Sequence, residues 1–383
     1  MNESRSRLPQ VGTTIFTVMS DLAARTGALN LAQGFPDFEP PERLRALVAH
    51  HVSALHNQYA PMAGAPELRE AIAAKIARHY RRQVSPATDI TVTCGGTEAL
   101  ACAILCAVAP GDEVIVFDPC YDSYEPIVTL CGGLTRHVPL LRPGFGIDWQ
   151  RLADTLNERT RLIIINTPHN PSGTRLSAED LDQLARLMRP FAASLLSDEV
   201  YEHMVYDGIA HASVHGNPEL AARSFVASSF GKTYHATGWK IGYCVAPAGL
   251  SAELRKVHQF VTFAIASPLQ YAIADFMREC PEHETELPLF YAGRRDYLRR
   301  CLTASRFRLR PTPATYFQLV DYSDISDEDD TRFVHTLVER CRVAAIPLSP
   351  FSVAKRPDER LLRLCFAKEE ATLAEAARRL ATL

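Results

Sequence analysis

Residues 161–201 read RLIIINTPHNPSGTRLSAEDLDQLARLMRPFAASLLSDEVY, and this stretch decides the fold class. Residues 161–166 form a short aliphatic run with no polar alternation before its end, as suits a strand covered on both faces. A loop fixed by Pro168, Pro171 and Gly173 follows. Ser177 then opens a helix, with Asp180 at the capping-box spacing in place of the usual Glu or Gln. Leu181, Leu184, Ala185 and Met188 recur at helical spacing. Residues 194–197 are a second buried strand. Strand, crossover helix and strand in this order make a parallel pair.

Similar runs lie on both sides, at residues 90–93, 113–117, 134–140, 224–229 and 243–246. Together they predict a mainly parallel, seven-stranded α/β sheet. Residues 41–56 and 66–80 read as helices leading into it, and what precedes them as an irregular arm rich in Gly and Pro. The C-terminal part carries a separate pattern. Residues 317–320 and 361–366 read as strands. Phe333, Val334, Leu337, Val338 and Cys341 mark a helix between them, with Asp329 and Asp330 at its favourable N-terminal end. The expected organisation is an arm at 1–45 belonging to a small α/β domain, a large domain at 46–285 and the rest of the small domain at 286–383.

Composition narrows the class. Lys plus Arg number 41 and Asp plus Glu 44, a net charge of −3, without the basic footprint of a nucleic-acid binder. The chain of 383 residues is 47% hydrophobic and 22% charged, as globular proteins are, and long enough to bury a core without disulfides. Ten cysteines include no C-x-x-C pair, and no His pairs complete a zinc pattern, so the expectation is reduced thiols, no metal and a cytoplasmic protein. The first ten residues lack a signal-peptide core, and the longest apolar run, 99–109, is too short to span a bilayer. Only six basic residues are lysines: Lys75, Lys232, Lys240, Lys256, Lys355 and Lys368. Arg cannot replace a nucleophilic amine because it keeps its proton.

In open α/β sheets ligands bind at the carboxyl ends of the strands. After residue 93 comes CGGTEAL, where Gly96 and Thr97 either make a simple turn or cradle a phosphate at a helix start. After 117 comes DPCYDSY, in which Tyr121 is either a packed aromatic or a ring that stacks on a ligand. After 165 come Asn166 and Asn170, held in a Pro-rich loop for internal turns or for a ligand. Asp198 ends a buried run, either as a helix cap or as partner to a cation, with Tyr201 one helical turn on. SFGKTYHATGWKIGY is the most specific segment. Lys232 sits there at a strand end with Ser229 and Gly231 before it, as Schiff-base chemistry needs, and Lys240 adds charge for a phosphate. His235 reads as structural. Phosphate cradle, stacking ring, amides, carboxylate and amine are together what pyridoxal phosphate requires.

From GTTIF through QGFPDF, NQYAPMAG and the strand-end motifs to RLCFAKEE, the chain resembles the class I/II aminotransferases of fold type I. Within them it is most similar to bacterial methionine aminotransferases of the kynurenine aminotransferase and glutamine transaminase group. Lys240 departs from the Arg common in the wider class but is usual in that group. The resemblance implies that Lys232 condenses with the pyridoxal 5'-phosphate aldehyde and later moves the α-proton. It implies that Asp198 pairs with the ring nitrogen, Asn170 and Tyr201 with the ring hydroxyl, and Tyr121 with the ring face. Gly96, Thr97, Ser229 and Lys240 would hold the phosphate. Tyr59 would reach the phosphate of a second copy, implying a homodimer. Arg363 and Asn166, with the Gly34 backbone, would bind the substrate α-carboxylate. The residues alone favour a structural ion pair for Arg363, between Leu362 and Leu364, and the resemblance reverses that.

The expected reaction is ping-pong transfer of an amino group from methionine to a 2-oxo acid, with aromatic amino acids, kynurenine or glutamine as further donors. Phe16, Phe35, Tyr121 and a partner's Phe263 are expected to line the side-chain pocket. The alternatives are a β-lyase of the cysteine-S-conjugate type on the same cofactor, a ligand-sensing regulator, and a dinucleotide-binding enzyme. The regulator would need a helix-turn-helix module, and the last would need a G-x-G-x-x-G after its first strand.

Overall fold

The computed structural model describes residues 6–54, 56–354, 356 and 358–383; Lys355 lies outside them. The large sheet contains β1 (Ile90–Thr93), β2 (Glu113–Asp118), β3 (Leu134–Pro139), β4 (Thr160–Asn166), β5 (Ser194–Asp198), β6 (Ser224–Ser229) and β7 (Gly242–Val245). Their spatial order is β1-β7-β6-β5-β4-β2-β3. β7 runs antiparallel to both neighbours and the remaining pairs are parallel. The carboxyl ends of six strands therefore open on one edge. The helix between β4 and β5 spans Ala178–Met188, buries all four of the residues spaced for it, and starts with a complete capping box. Ser177 Oγ accepts from the Asp180 amide at 3.1 Å, and Asp180 Oδ2 accepts from the Ser177 amide at 2.8 Å.

β1, β2, β6 and β7 are buried at every residue. β3, at the opposite edge from β1, is not, and only Val138 in it is fully covered. The continuous pattern read there overstated its burial.

The N-terminal segment is not an irregular arm. Residues Ile15–Thr26 form a helix in which Thr14 Oγ1 accepts from the Thr17 amide and Gly27, at φ +64°, ends the run. Its apolar residues pack against the C-terminal core, with Met19 and Ala23 fully covered. Leu29–Asn30 then pairs in parallel with Val343–Ala344 in a two-stranded sheet, tying this segment to the C-terminal part. The C-terminal sheet holds four strands in the order Ile346–Pro347, Leu361–Cys365, Phe317–Asp321 and Arg308–Leu309, each antiparallel to the next. Helix Asp330–Cys341 packs on it, capped by Asp329 through the Arg332 amide at 3.0 Å. The boundary expected after residue 285 falls inside the first turn of helix His283–Cys301. Tyr201 and Met204, which follow β5, belong to the same core cluster as Phe317 and Leu364, so the two sheets share apolar contacts. No helix among the described residues is long and apolar enough to cross a membrane.

Candidate active site

A cavity of about 300 Å³ opens where the carboxyl edge of the large sheet meets the C-terminal sheet and the N-terminal segment. Helix Gly95–Ala107 starts there directly after β1, with no side chain capping its N-terminus. The glutamate in its first turn, Glu98, turns back to accept from the Cys94 amide. Gly95, Gly96 and Thr97 line the cavity, so the amide end of the helix dipole meets it. One uncalled glycine makes this approach possible. A Cβ on Gly242 of β7 would stand 2.6 Å from Ser228 O and 2.9 Å from the Gly96 amide nitrogen. Lys240 Nζ lies beside the same turn, 3.4 Å from where a Gly95 Cβ would be. Ser229, the last residue of β6, completes this corner.

Lys232 follows on the short helix Phe230–Thr233. Its Nζ donates to Tyr316 Oη at 2.9 Å and Gly34 O at 3.1 Å. Burial, reinforced by the Arg363 and Lys240 cations, lowers its pKa to about 8. Asp198 ends β5 and is 3% exposed. Its Oδ2 accepts from Tyr124 Oη at 2.7 Å, and burial still raises its pKa to about 6. A buried carboxylate in that condition is suited to a cationic donor. Tyr121 stands edge-on to Tyr124, with its hydroxyl pushed up to about 12 by burial. The buried Tyr201 ring lies 5.5 Å from Lys232 Nζ.

Arg363 projects from strand Leu361–Cys365 and is 1% exposed. Nη1 donates to Asn170 Oδ1 at 2.6 Å and Nη2 to Ala32 O at 3.0 Å, while Nε has no partner. No carboxylate among the described residues forms an ion pair with it. Its guanidinium stacks 3.8 Å from the Phe317 ring, with Phe16 at 5.2 Å.

The cavity gathers Phe16, Gly34, Gly96, Thr97, Tyr121, Asn166, Asn170, Asp198, Tyr201, Ser229, Lys232, Lys240 and Arg363. Tyr59 and Phe263 are not among its lining residues. They pair edge to face at 5.3 Å and are 83% and 47% exposed. Phe35 also lies apart, its ring 4.7 Å from Lys368 Nζ. Asn166 lines the cavity and also braces the local backbone. Its Nδ2 donates to Asp198 O at 2.9 Å and its Oδ1 accepts from the Asn170 amide at 2.7 Å. These bonds use one of its two N–H donors and one acceptor site, and it is Asn170 that directly contacts Arg363. His235 pairs with Tyr291 Oη at 3.0 Å inside an aromatic cluster, in keeping with a structural role.

Tyr124, Tyr316 and Gly242 escaped the sequence reading. Tyr124 was visible three residues after Tyr121, at the spacing that joins one helix face. Tyr316 precedes a strand and carries no local signal.

The sequence profile of aminotransferase class I and II matches residues 26–380. The chain belongs to this family. It is 52% identical to the methionine aminotransferase of Escherichia coli, over 99% of this chain and 98% of that protein. Human kynurenine–oxoglutarate transaminase 1 is 33% identical over 92% of this chain and 91% of its own length. A crystal structure from Escherichia coli, reported with a methionine aminotransferase function, superposes at a TM-score of 0.98 with 52% identity and full coverage of both chains. Thermus thermophilus aspartate aminotransferase bound to maleate superposes at 0.90, with 29% identity and full coverage of both chains. The mostly parallel seven-stranded sheet is thus that of fold-type I aminotransferases, and the chain is an aminotransferase.

Proposed function

We propose that this aminotransferase uses pyridoxal 5'-phosphate and moves the amino group of L-methionine to a 2-oxo acid. The observation that carries the reading is Arg363: a buried guanidinium without a carboxylate partner, lining the same cavity as the low-pKa amine of Lys232. Such a group calls for an anionic ligand. Arg363 and Asn170 would take the α-carboxylate, with the Gly34 backbone beside them. The 52% identity to a methionine aminotransferase along nearly both whole chains favours methionine as donor.

The residues fit the cofactor. A Cβ on Gly96 would stand 2.9 Å from Val200 Cγ1, so glycine there keeps the helix start close to the sheet. Gly96, Thr97, Ser229 and Lys240 would hold the phosphate, Asp198 the ring nitrogen, Asn170 and Tyr201 the ring hydroxyl, and Tyr121 the ring face. When bound, this cofactor condenses with primary amines and stores the electron pair left by a departing α-proton. Asp198, kept ionised by Tyr124 and a cationic ring nitrogen, would favour that storage. Lys232, displaced by the incoming amine, would take the α-proton, since a pKa of about 8 leaves part of it neutral near pH 7. The same amine, now protonated, would return the proton to the cofactor side. The amino group would stay with the bound cofactor as the 2-oxo acid leaves, and a second 2-oxo acid would collect it with Lys232 making the same proton transfers in reverse.

Phe16 and Tyr121 offer aromatic surface for a thioether, which is flexible and makes sulfur–aromatic contacts. Apolar pockets separate such side chains weakly, so aromatic amino acids, kynurenine and glutamine should also be accepted. Tyr59 and Phe263 would act across a homodimer. All ten cysteines are free, which accords with a cytoplasmic enzyme.

The test is the visible spectrum of the purified protein before and after L-methionine without oxo acid. A yellow band that methionine bleaches and a 2-oxo acid restores is expected. No band after incubation with pyridoxal phosphate overturns the cofactor. A band that only other amino acids bleach overturns methionine, and steady release of ammonia overturns transamination in favour of the lyase.

A further inference from the structure

Tyr316 is fully buried and is not among the residues lining the cavity, whereas Lys232 lines it. The Tyr316 hydroxyl gives its one hydrogen to Gly34 O, at 2.5 Å. Its oxygen is left to accept, and Lys232 Nζ donates to it at 2.9 Å while donating to Gly34 O at 3.1 Å. A neutral amine has two N–H bonds and one lone pair. With both hydrogens drawn to Tyr316, behind the cavity wall, and to Gly34 on that wall, the lone pair is left to face the cavity. The acceptors cannot easily shift. The Tyr316 ring is wedged edge to face against Tyr201 at 5.2 Å and Phe317 at 4.8 Å, and Gly34 O is fixed by the same hydroxyl.

From this we infer that Tyr316 is a positioning residue for the proton transfer: its hydroxyl, with Gly34 O, aims the lone pair of Lys232 at the substrate α-carbon. The kinetic half of this inference rests on the transamination reading, and the structural half does not. On protonation Lys232 gains a third N–H along the lone-pair direction, so the two rear bonds hold the amine in place while that proton is handed back.

Tyr316→Phe keeps the ring packing and removes the hydroxyl. With L-methionine as donor, kcat should fall on the order of 10²-fold, the loss that a misaimed catalytic group causes. KM should change far less than kcat, because Arg363 and Asn170 keep their contact and only the Gly34 carbonyl loses a donor. The kinetic isotope effect with α-deuterated methionine should rise as proton transfer becomes limiting. Separately, the full-length chain freed of cofactor is labelled with an amine-acylating reagent across pH and digested, and Lys232 is followed by mass spectrometry. Loss of an acceptor weakens the ammonium form more than the amine, so the labelling midpoint should move below that of the wild type. An unchanged kcat and isotope effect, or an unmoved midpoint, overturns the inference. If the wild type transaminates no amino acid, the proposed function fails while the labelling midpoint still decides where Tyr316 acts.

Discussion

Replacing Arg363 with Met should separate catalysis from stability, lowering the first and leaving the second nearly level. A guanidinium has five N–H donors. Two are spent on Asn170 Oδ1 and Ala32 O, leaving three, including Nε, for a substrate carboxylate. A bidentate pair would supply two charge-assisted bonds at about 1.5–3 kcal/mol each. Losing roughly 3–4 kcal/mol of that interaction lowers kcat/KM by about 10²–10³. Stability follows another balance. The buried cation has no acidic partner, and removing an uncompensated buried charge relieves several kcal/mol, on the order of what buried ion groups cost. Against this, Ala32 O and Asn170 Oδ1 each lose a donor, at about 1–3 kcal/mol apiece. The Met side chain also keeps contact with the Phe317 ring that the guanidinium stacks on at 3.8 Å. The two sides nearly cancel, so the thermal midpoint of Arg363→Met should stay close to that of the wild type. The assays are steady-state kinetics with L-methionine and calorimetry of the protein without substrate. A kcat/KM loss under tenfold would refute the carboxylate role, and a midpoint several degrees lower would refute the reading of Arg363 as an unpaired charge held for function.

Other outcomes follow from the same geometry. Lys232→Ala should retain pyridoxal phosphate through the phosphate and ring contacts while turnover disappears, read by cofactor release on dialysis and by oxo-acid formation. Gly242→Ala puts a methyl 2.6 Å from Ser228 O and 2.7 Å from the Gly95 carbonyl carbon, so the helix start must retreat; cofactor affinity should weaken at least tenfold in a fluorescence titration, with circular dichroism unchanged. Burial raises the Asp198 pKa to about 6, so its carboxylate is lost as pH falls through that value and cofactor affinity should drop there. Tyr124→Phe removes a donor to the ionised form and should move that drop to higher pH; an unshifted profile would show that Tyr124 does not hold the carboxylate.

Much of the fold was legible because its signals are local. The buried runs at 90–93 and 224–229 match β1 and β6 end to end, and the Ser177–Asp180 capping box forms as read. Lys232, Asp198 and Asn170 were visible because each follows a strand, where a parallel sheet gathers its loops. The missed helix Ile15–Thr26 was hidden by the Gly and Pro residues on its C-terminal side, although Ile15, Phe16, Met19, Leu22 and Ala23 carry its apolar stripe.

By itself the sequence determined the alternation of strands and helices, the order of the motifs at the strand ends and the family that they mark. These depend on residue type and short spacing, which the chain carries wherever it folds. The tertiary structure decided which amide meets Arg363, since Asn166 and Asn170 are equivalent on paper until packing brings Asn170 Oδ1 within 2.6 Å of its guanidinium. It also decided that Tyr316 meets Lys232 across 84 positions and Gly34 across 282. Such contacts join elements from both sheets and the N-terminal segment, and no local pattern encodes a distance that only packing closes.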